Sequence, residues 1–404
     1  MMWWLKCSLM TILPLTVTVG LIEVGITPPS PDRIQELTSF LGAVTIPTGF
    51  RFEDTEVGGL SGITYNRQKD VYYAVSDSQG DRGDARFYTL KLHWSGDPFQ
   101  LEGVEVIGVT RILDANGEAF PLYSLDPEGI AFTGETVWIA SEGNIAAGYP
   151  PFIKEFSLES GRQLSELPIP KQLFSRDNPN IGVRNNLATE SLTLTPDGKT
   201  LFTATENALI QDGPAATVKE GSPSRIIRYN LETGLVDGQF LYMTEAIAGS
   251  SLMSETLQLN GLVELLAVSE RRSLAMERSF SLDRGFVIRL FEVSVKEATD
   301  IRSLDSLRNQ LEGITPVSKT PVLIPPEIQA EVIWDNLEGM TFGPTLPDGR
   351  RSLIMVSDNN FHPLLHTRIV VFAIDREYSA KPYQQRVWEW IENFFGSGVD
   401  KTGN

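Results

Sequence analysis

DPEGIAFTGETVWIASEGN, residues 126–144, holds two short apolar runs around a Thr-Gly-Glu turn. The runs are rich in β-branched and aromatic residues, and a glycine sits in the turn, so the stretch predicts a β-hairpin. Glu128 stands at the start of the first strand and Glu142 just after the second. In an antiparallel pair those two positions lie at the same sheet edge, so the acids become neighbours.

The layout returns along the chain. It is read again in LSGITYNRQKDVYYAVSDSQG (60–80), TESLTLTPDGKTLFTATEN (189–207), NGLVELLAVSERRSLAMERSF (260–280) and LEGMTFGPTLPDGRRSLIMVSDNNF (337–361). Further strand candidates lie between the repeats: RFYTLKL (86–92), FIKEFSL (152–158), RIIRYNL (225–231), GFVIRLFEV (285–293) and TRIVVFAI (367–374). A supersecondary unit repeated this way predicts an all-β protein, a β-propeller, with uneven loops between blades. Five signatures are visible. A sixth blade is sought in 100–127 or 296–335, or with N-terminal strands, so the expectation is five or six. A large β-sandwich or two packed β domains is the competing architecture. The propeller is expected over residues 40–378. YQQRVWEWIENFFGSG, within a tail at 379–404, predicts an amphipathic helix packed on the body.

Radial symmetry then gathers the hairpin ends of every blade at one mouth. The pairs are Glu128 with Glu142, Glu190 with Glu206, Glu338 with Asp358, Ser61 with Asp77, and Asn260 with Glu277. Crowded like charges demand cations, arginine partners or raised pKa values. Cys7 is the only cysteine and His93, His362 and His366 the only histidines, so an all-oxygen set favours a hard cation such as Ca²⁺ over zinc. Asp77, Glu142, Glu206, Glu277 and Asp358 are the candidate metal ligands. Glu128, Glu190 and Glu338 are the candidate catalytic carboxylates. Arg86 and Arg278 sit beside these acids in sequence and have the planar fork that clamps an anionic group. Arg82 and Arg184 lie nearby. Each acid taken alone can equally cap a strand end.

The ordered series GLSGITY…YYAVSD, DPEGIAF…WIASEGN, NLATESLTL…LFTATEN, LAMERSF and NLEGMTF…IMVSDNN resembles the phytase-like domain family, described as having esterase-like activity of phytase. The resemblance spans about residues 55–375. It implies a propeller related in shape to the calcium-dependent phytases, which hydrolyse phosphate monoesters.

The whole chain narrows the function classes. Its 404 residues carry a formal charge of −18, which argues against a nucleic-acid partner and permits bound cations. One Lys ahead of an apolar run from Cys7 to about Leu21 predicts an export segment over residues 1–24, either a cleaved signal or a membrane anchor. That expectation gives a periplasmic, secreted or membrane-anchored protein touching the bilayer only through this segment. No Gly-x-Ser-x-Gly elbow, Gly-x-x-x-x-Gly-Lys-Ser/Thr phosphate loop or dinucleotide fingerprint occurs. Two classes remain. One is an exported, metal-dependent hydrolase of phosphate or related esters, acting on a small anionic molecule. The other is a non-catalytic propeller that binds a ligand or protein through the same acidic face.

Overall fold

Each repeated hairpin forms, and each becomes the inner half of a four-stranded antiparallel sheet. The structure is a computed structural model and describes residues 37–96, 99–249, 258–324, 328–329, 332 and 334–374. The segment 1–24 and the expected C-terminal helix lie outside the described residues. Among the described residues no helix is long and apolar enough to cross a membrane.

The chain enters on β1 (Leu37–Ile46) and a small hairpin, β2 (Arg51–Phe52) and β3 (Thr55–Glu56). Blade I follows as β4 (Leu60–Asn66), β5 (Val71–Ser76), β6 (Arg86–Trp94) and β7 (Leu101–Arg111). Blade II is β8 (Pro127–Phe132), β9 (Thr136–Ser141), β10 (Phe152–Ser157) and β11 (Gln163–Leu167). Blade III is β12 (Thr189–Leu194), β13 (Thr200–Thr205), β14 (Pro223–Asn230) and β15 (Leu235–Met243). Blade IV is β16 (Gln258–Ala267), β17 (Arg272–Ser281), β18 (Gly285–Ser294) and β19 (Ser318–Pro321). Blade V is β20 (Leu337–Thr345), β21 (Arg351–Ser357) and β22 (Thr367–Ile374), completed on its outer edge by β1.

The inner strands β4, β8, β12, β16 and β20 contact one another in that order, and β20 returns to β4. The ring is therefore closed with five blades. Residues 101–111 belong to blade I. Residues 295–317 form an insertion laid along blade III, where Ile301 N–H donates to the Gln239 carbonyl and Val317 N–H to that of Leu241. The N-terminal strand completes blade V and founds no sixth.

The apolar core is divided in the same way. Five buried clusters each lie between two adjacent blades. Tyr72, Tyr88, Leu60 and Val371 join blades I and V, for example, and Leu192, Ile227, Trp138 and Ile153 join blades II and III. Closure rests on this apolar burial, at roughly 25 cal/mol per Å² removed from water. It also needs thin inner strands. A Cβ at Gly129 would lie 2.6 Å from Leu192 Cβ and 2.7 Å from Leu192 N, on the neighbouring inner strand. Gly129→Ala should therefore destabilise the protein by about 1–3 kcal/mol. An unchanged urea midpoint would show that the ring has slack at this joint.

Candidate functional site at the acidic mouth

The register of the inner hairpins assigns equivalent positions in all five blades. Each inner pair carries a one-residue bulge near its mouth end. The pairing steps from Leu60↔Ser76 to Gly62↔Val75 in blade I and from Pro127↔Ser141 to Gly129↔Ala140 in blade II. Blade III steps from Thr189↔Thr205 to Ser191↔Ala204 and blade V from Leu337↔Ser357 to Gly339↔Val356. The bulged residues are thus Ser61, Glu128, Glu190 and Glu338. A bulge re-aims its side chain out of the strand's alternation. The residues that close the hairpins are Asp77, Glu142, Glu206 and Asp358.

Blade IV has the same device in a different place. Its step runs from Leu262↔Glu277 to Glu264↔Met276. The bulged residue is therefore Val263, and the closing residue is Arg278. Glu277 occupies the position held by Ser76, Ser141, Thr205 and Ser357 in the other blades. It is fully buried and accepts from Tyr242 Oη at 2.7 Å, the Glu245 amide at 2.8 Å and Lys319 Nζ at 2.5 Å. Asn260 donates to it at 3.0 Å. The structure does not bring Glu277 to the mouth with the other acids; it ties blade IV to the edge of blade III.

Arg278 takes the place of a carboxylate in the ring. Its Nη2 lies 3.4 Å from both Glu206 and Glu338, with the side chain 12% exposed. Burial disfavours its charge, but Glu338, Glu206, Glu190 and Asp358 outweigh burial and raise its pKa. Arg86 is used otherwise. It is fully buried, and it donates to Tyr88 Oη at 2.6 Å, to the Asp84 carbonyl at 3.0 Å and to the Glu56 carbonyl at 2.9 Å. It is a tie beneath the loop that follows Asp77, and its charge only partly opposes the burial that raises the Asp77 pKa. Arg184 donates to the carbonyls of Ala208 and Gly213.

Two functional candidates escape the sequence reading. Asp126 sits directly before β8 and is buried, with Gln79 Nε2 donating to it at 2.6 Å. Oxygens of Asp126, Glu128 and Glu142 lie within 4.8 Å of one another, close enough to share one cation. The signal was the Asp-Pro-Glu start of the hairpin, where the acid two residues before Glu128 comes to the same edge. Glu264 is the second. It stands where Gly62, Gly129, Ser191 and Gly339 stand in the other blades, and it is buried. Its carboxylate accepts from the amides of Leu265 at 2.8 Å and Met340 at 3.5 Å, and from that of Leu192. One carboxylate thus staples the inner strands of blades III, IV and V. A lone Glu inside the apolar run GLVELLAV was its trace.

The mouth therefore gathers eight carboxylates, Asp77, Asp126, Glu128, Glu142, Glu190, Glu206, Glu338 and Asp358, around Arg278. Burial raises every one, and repulsion from neighbouring acids adds to it at all but Glu338. Burial and the charges of Glu338 and Asp81 push Asp77 to about 7. Burial with Glu142 pushes Asp126 to about 9, and burial with Glu206 pushes Glu142 to about 8. Burial pushes Glu206 to about 7 against the pull of Arg278. Burial also raises Glu338, and it places Glu128, Glu190 and Asp358 well above the usual range. A side-chain hydrogen bond from Glu190 pulls the Glu142 pKa down against that burial. Asp77 Oδ1 is buried without a hydrogen-bond partner among the described residues.

A family model described as "Phytase-like: Esterase-like activity of phytase" matches residues 55–361, from the last strand before blade I through the Asp358 loop. The chain belongs to the phytase-like family. The match takes in every carboxylate of the mouth. No curated protein matches the phytase-like chain. Among solved structures it is similar to a hypothetical protein from Leishmania major, at 10% identity over 84% of this chain and 90% of that one, with a TM-score of 0.37. It is similar to a GH43 endo-arabinanase from Bacillus licheniformis at 11% identity, over 80% and 96%, with a TM-score of 0.34. It is also similar to a Dos1 propeller at 7% identity, over 78% and 68%, with a TM-score of 0.31.

Proposed function

We propose that the phytase-like propeller is an exported, metal-assisted hydrolase of phosphate esters or related anionic esters, working at its acidic mouth. One observation carries the reading: eight desolvated carboxylates converge with a single arginine among them. Such a set stays ionised only beside further positive charge. The donors are all oxygen, and an unpartnered Asp77 oxygen lies among them, so the residues fit a hard cation such as Ca²⁺.

Asp126, Glu128 and Glu142 would hold that cation, with Asp77 of the adjoining blade close enough for its charge to raise the pKa values of Asp126 and Glu128. Once bound, it would supply charge neutralisation at the phosphoryl oxygens and a more acidic water. The chain's own groups move the protons. An ionised carboxylate of the ring accepts a proton from the attacking water as its oxygen bonds to phosphorus, while Glu190, whose pKa is raised well above the usual range by burial and by the charges of Glu142 and Glu206, keeps its own. The phosphorus–oxygen bond to the ester oxygen breaks, and a protonated neighbour in the cluster returns a proton to the departing alcohol. Arg278 fixes Glu206 and Glu338 and supplies positive charge where blade IV lacks an acid.

The engagement of Arg86 and Arg278 by protein groups favours a second reading, cation-dependent ligand binding without turnover. An assay of phosphate monoesters, phosphate diesters and carboxyl esters with Ca²⁺, and again with chelator, separates the two. Calcium-dependent release of alcohol supports the hydrolase. Calorimetric calcium binding with no turnover across the panel supports the binding protein. Absence of both overturns the functional mouth.

A further inference from the structure

A groove of about 420 Å³ opens on the mouth side of blade II. Phe120, Tyr149, Pro150, Phe152, Pro168 and Ile169 line it. Its floor is aromatic: the Phe120 and Phe152 rings stack with centroids 6.0 Å apart at 15°. Lys154 lies on that floor, its Nζ 4.7 Å from the Phe152 centroid and 5.3 Å from that of Phe120. The ammonium is partnered loosely, at 3.6 Å, by Glu166, which is 64% exposed.

The walls of the groove are the loops that carry two acids into the mouth. Ser124, on one wall, precedes Asp126 by two residues. That wall is held to the mouth through Gln79, whose carbonyl takes the Tyr123 amide and whose side chain donates to Asp126. On the other wall, the carbonyls of Tyr149 and Pro150 press against Gly143, at 2.6 and 2.4 Å from where its Cβ would be. Gly143 follows Glu142 directly.

We propose that this groove receives the ring of an aryl ester whose anionic group reaches the mouth. The inference rests on the hydrolase reading and deepens it by naming a substrate class. A sugar or polyol bearing many phosphates would need several open cations, and Arg86, Arg184 and Arg278 are already engaged by protein groups. An aryl ester needs apolar surface beside one anion site. The groove offers aromatic faces, proline walls and an ammonium whose acidic partner is exposed enough to yield to a ligand anion. A flat ring fits against Tyr149 and the proline walls, and Lys154 adds positive charge that favours an anionic ester.

Binding tests this apart from turnover. The probe is naphthalen-2-ylmethylphosphonate, whose carbon–phosphorus bond resists hydrolysis, with methylphosphonate as the ringless comparison. Calorimetry on the full chain with Ca²⁺ should show the ring tightening binding roughly tenfold or more, which corresponds to about 1.4 kcal/mol. Ile169→Trp, which fills the groove, and Tyr149→Ala, which removes a wall, should erase that preference. Lys154→Met should weaken the aryl phosphonate several-fold. Melting curves check that the variants fold, and Tyr149 and Ile169 lie outside the acidic cluster. Equal binding of the two phosphonates, or a ring preference untouched by both groove variants, overturns the proposal. Ring-dependent binding without hydrolysis of any aryl phosphate leaves the groove standing and removes the hydrolase. Hydrolysis with no ring preference does the reverse.

Discussion

Replacing Arg278 with Met should destabilise chelated protein by about 3–5 kcal/mol at pH 8, and by clearly less at pH 5. Arg278 is the cation shared by Glu206 and Glu338. Met keeps much of the volume and removes the charge, so the loss reads the electrostatics rather than a cavity. With the arginine gone, nothing pulls the Glu206 pKa down from its already raised value of about 7. A carboxylate whose folded pKa is raised contributes stability that is complete below its unfolded pKa and is lost as pH rises through the folded one. At pH 5 the two acids take up protons and tolerate the loss; at pH 8 they are driven to ionise in a buried site. Arg278→Lys should recover part of the effect, since one ammonium cannot reach both acids with a planar fork. Urea titrations at the two pH values measure it. A small loss equal at both would show that Arg278 does not neutralise the ring.

Chelated wild-type protein should itself melt at lower temperature as pH rises from 5 to 9, and Ca²⁺ should reverse the trend. The unfolded acids titrate near 3.8 and 4.5, whereas Asp77 and Glu206 titrate at about 7, Glu142 at about 8 and Asp126 at about 9 in the fold. Protonated acids thus stabilise the cation-free ring fully below about pH 4, and that contribution drains away from there until it is gone at about pH 9. Bound cation replaces the protons. At about 100 times its dissociation constant it adds roughly 2.7 kcal/mol. The gain should be larger at pH 8 than at pH 5, because binding must displace protons. Asp126→Asn with Glu142→Gln should flatten the alkaline loss and blunt the calcium response together. Melting curves independent of pH and of Ca²⁺ would leave the carboxylates as strand-end caps.

The hairpins were readable because turn chemistry and period-two apolarity are local. The acids of blades II, III and V were readable because the bulge and the closing residue keep a fixed relation to each hairpin. Blade IV broke the reading for a physical reason. Its inner strands run further toward the mouth, from Gln258 and to Ser281, so Asn260-Gly261 resembles the Glu-Gly of other blades while lying three residues beyond the bulge. Only the pairing register shows that Arg278 belongs in the ring and that Glu277 faces Lys319. Asp126 and Glu264 act on groups in other strands or other blades, and no spacing along one hairpin records such contacts. The blade count depended on where β1 pairs, which is a contact between the two ends of the propeller sequence.

That pairing has a mechanical consequence. Strands β1 and β22 run antiparallel, with Leu37 beside Ile374 and Ile46 beside Thr367. The Thr367 end adjoins the loop that carries Asp358, so Leu37 and Ile374 lie together on the side away from the acids. Pull on these two residues would load the hydrogen bonds between the strands one after another, as a zipper opens, and not all at once. The ring is therefore weakest to force where it is joined. A surface or tag attached through either residue leaves the carboxylates turned toward the solution.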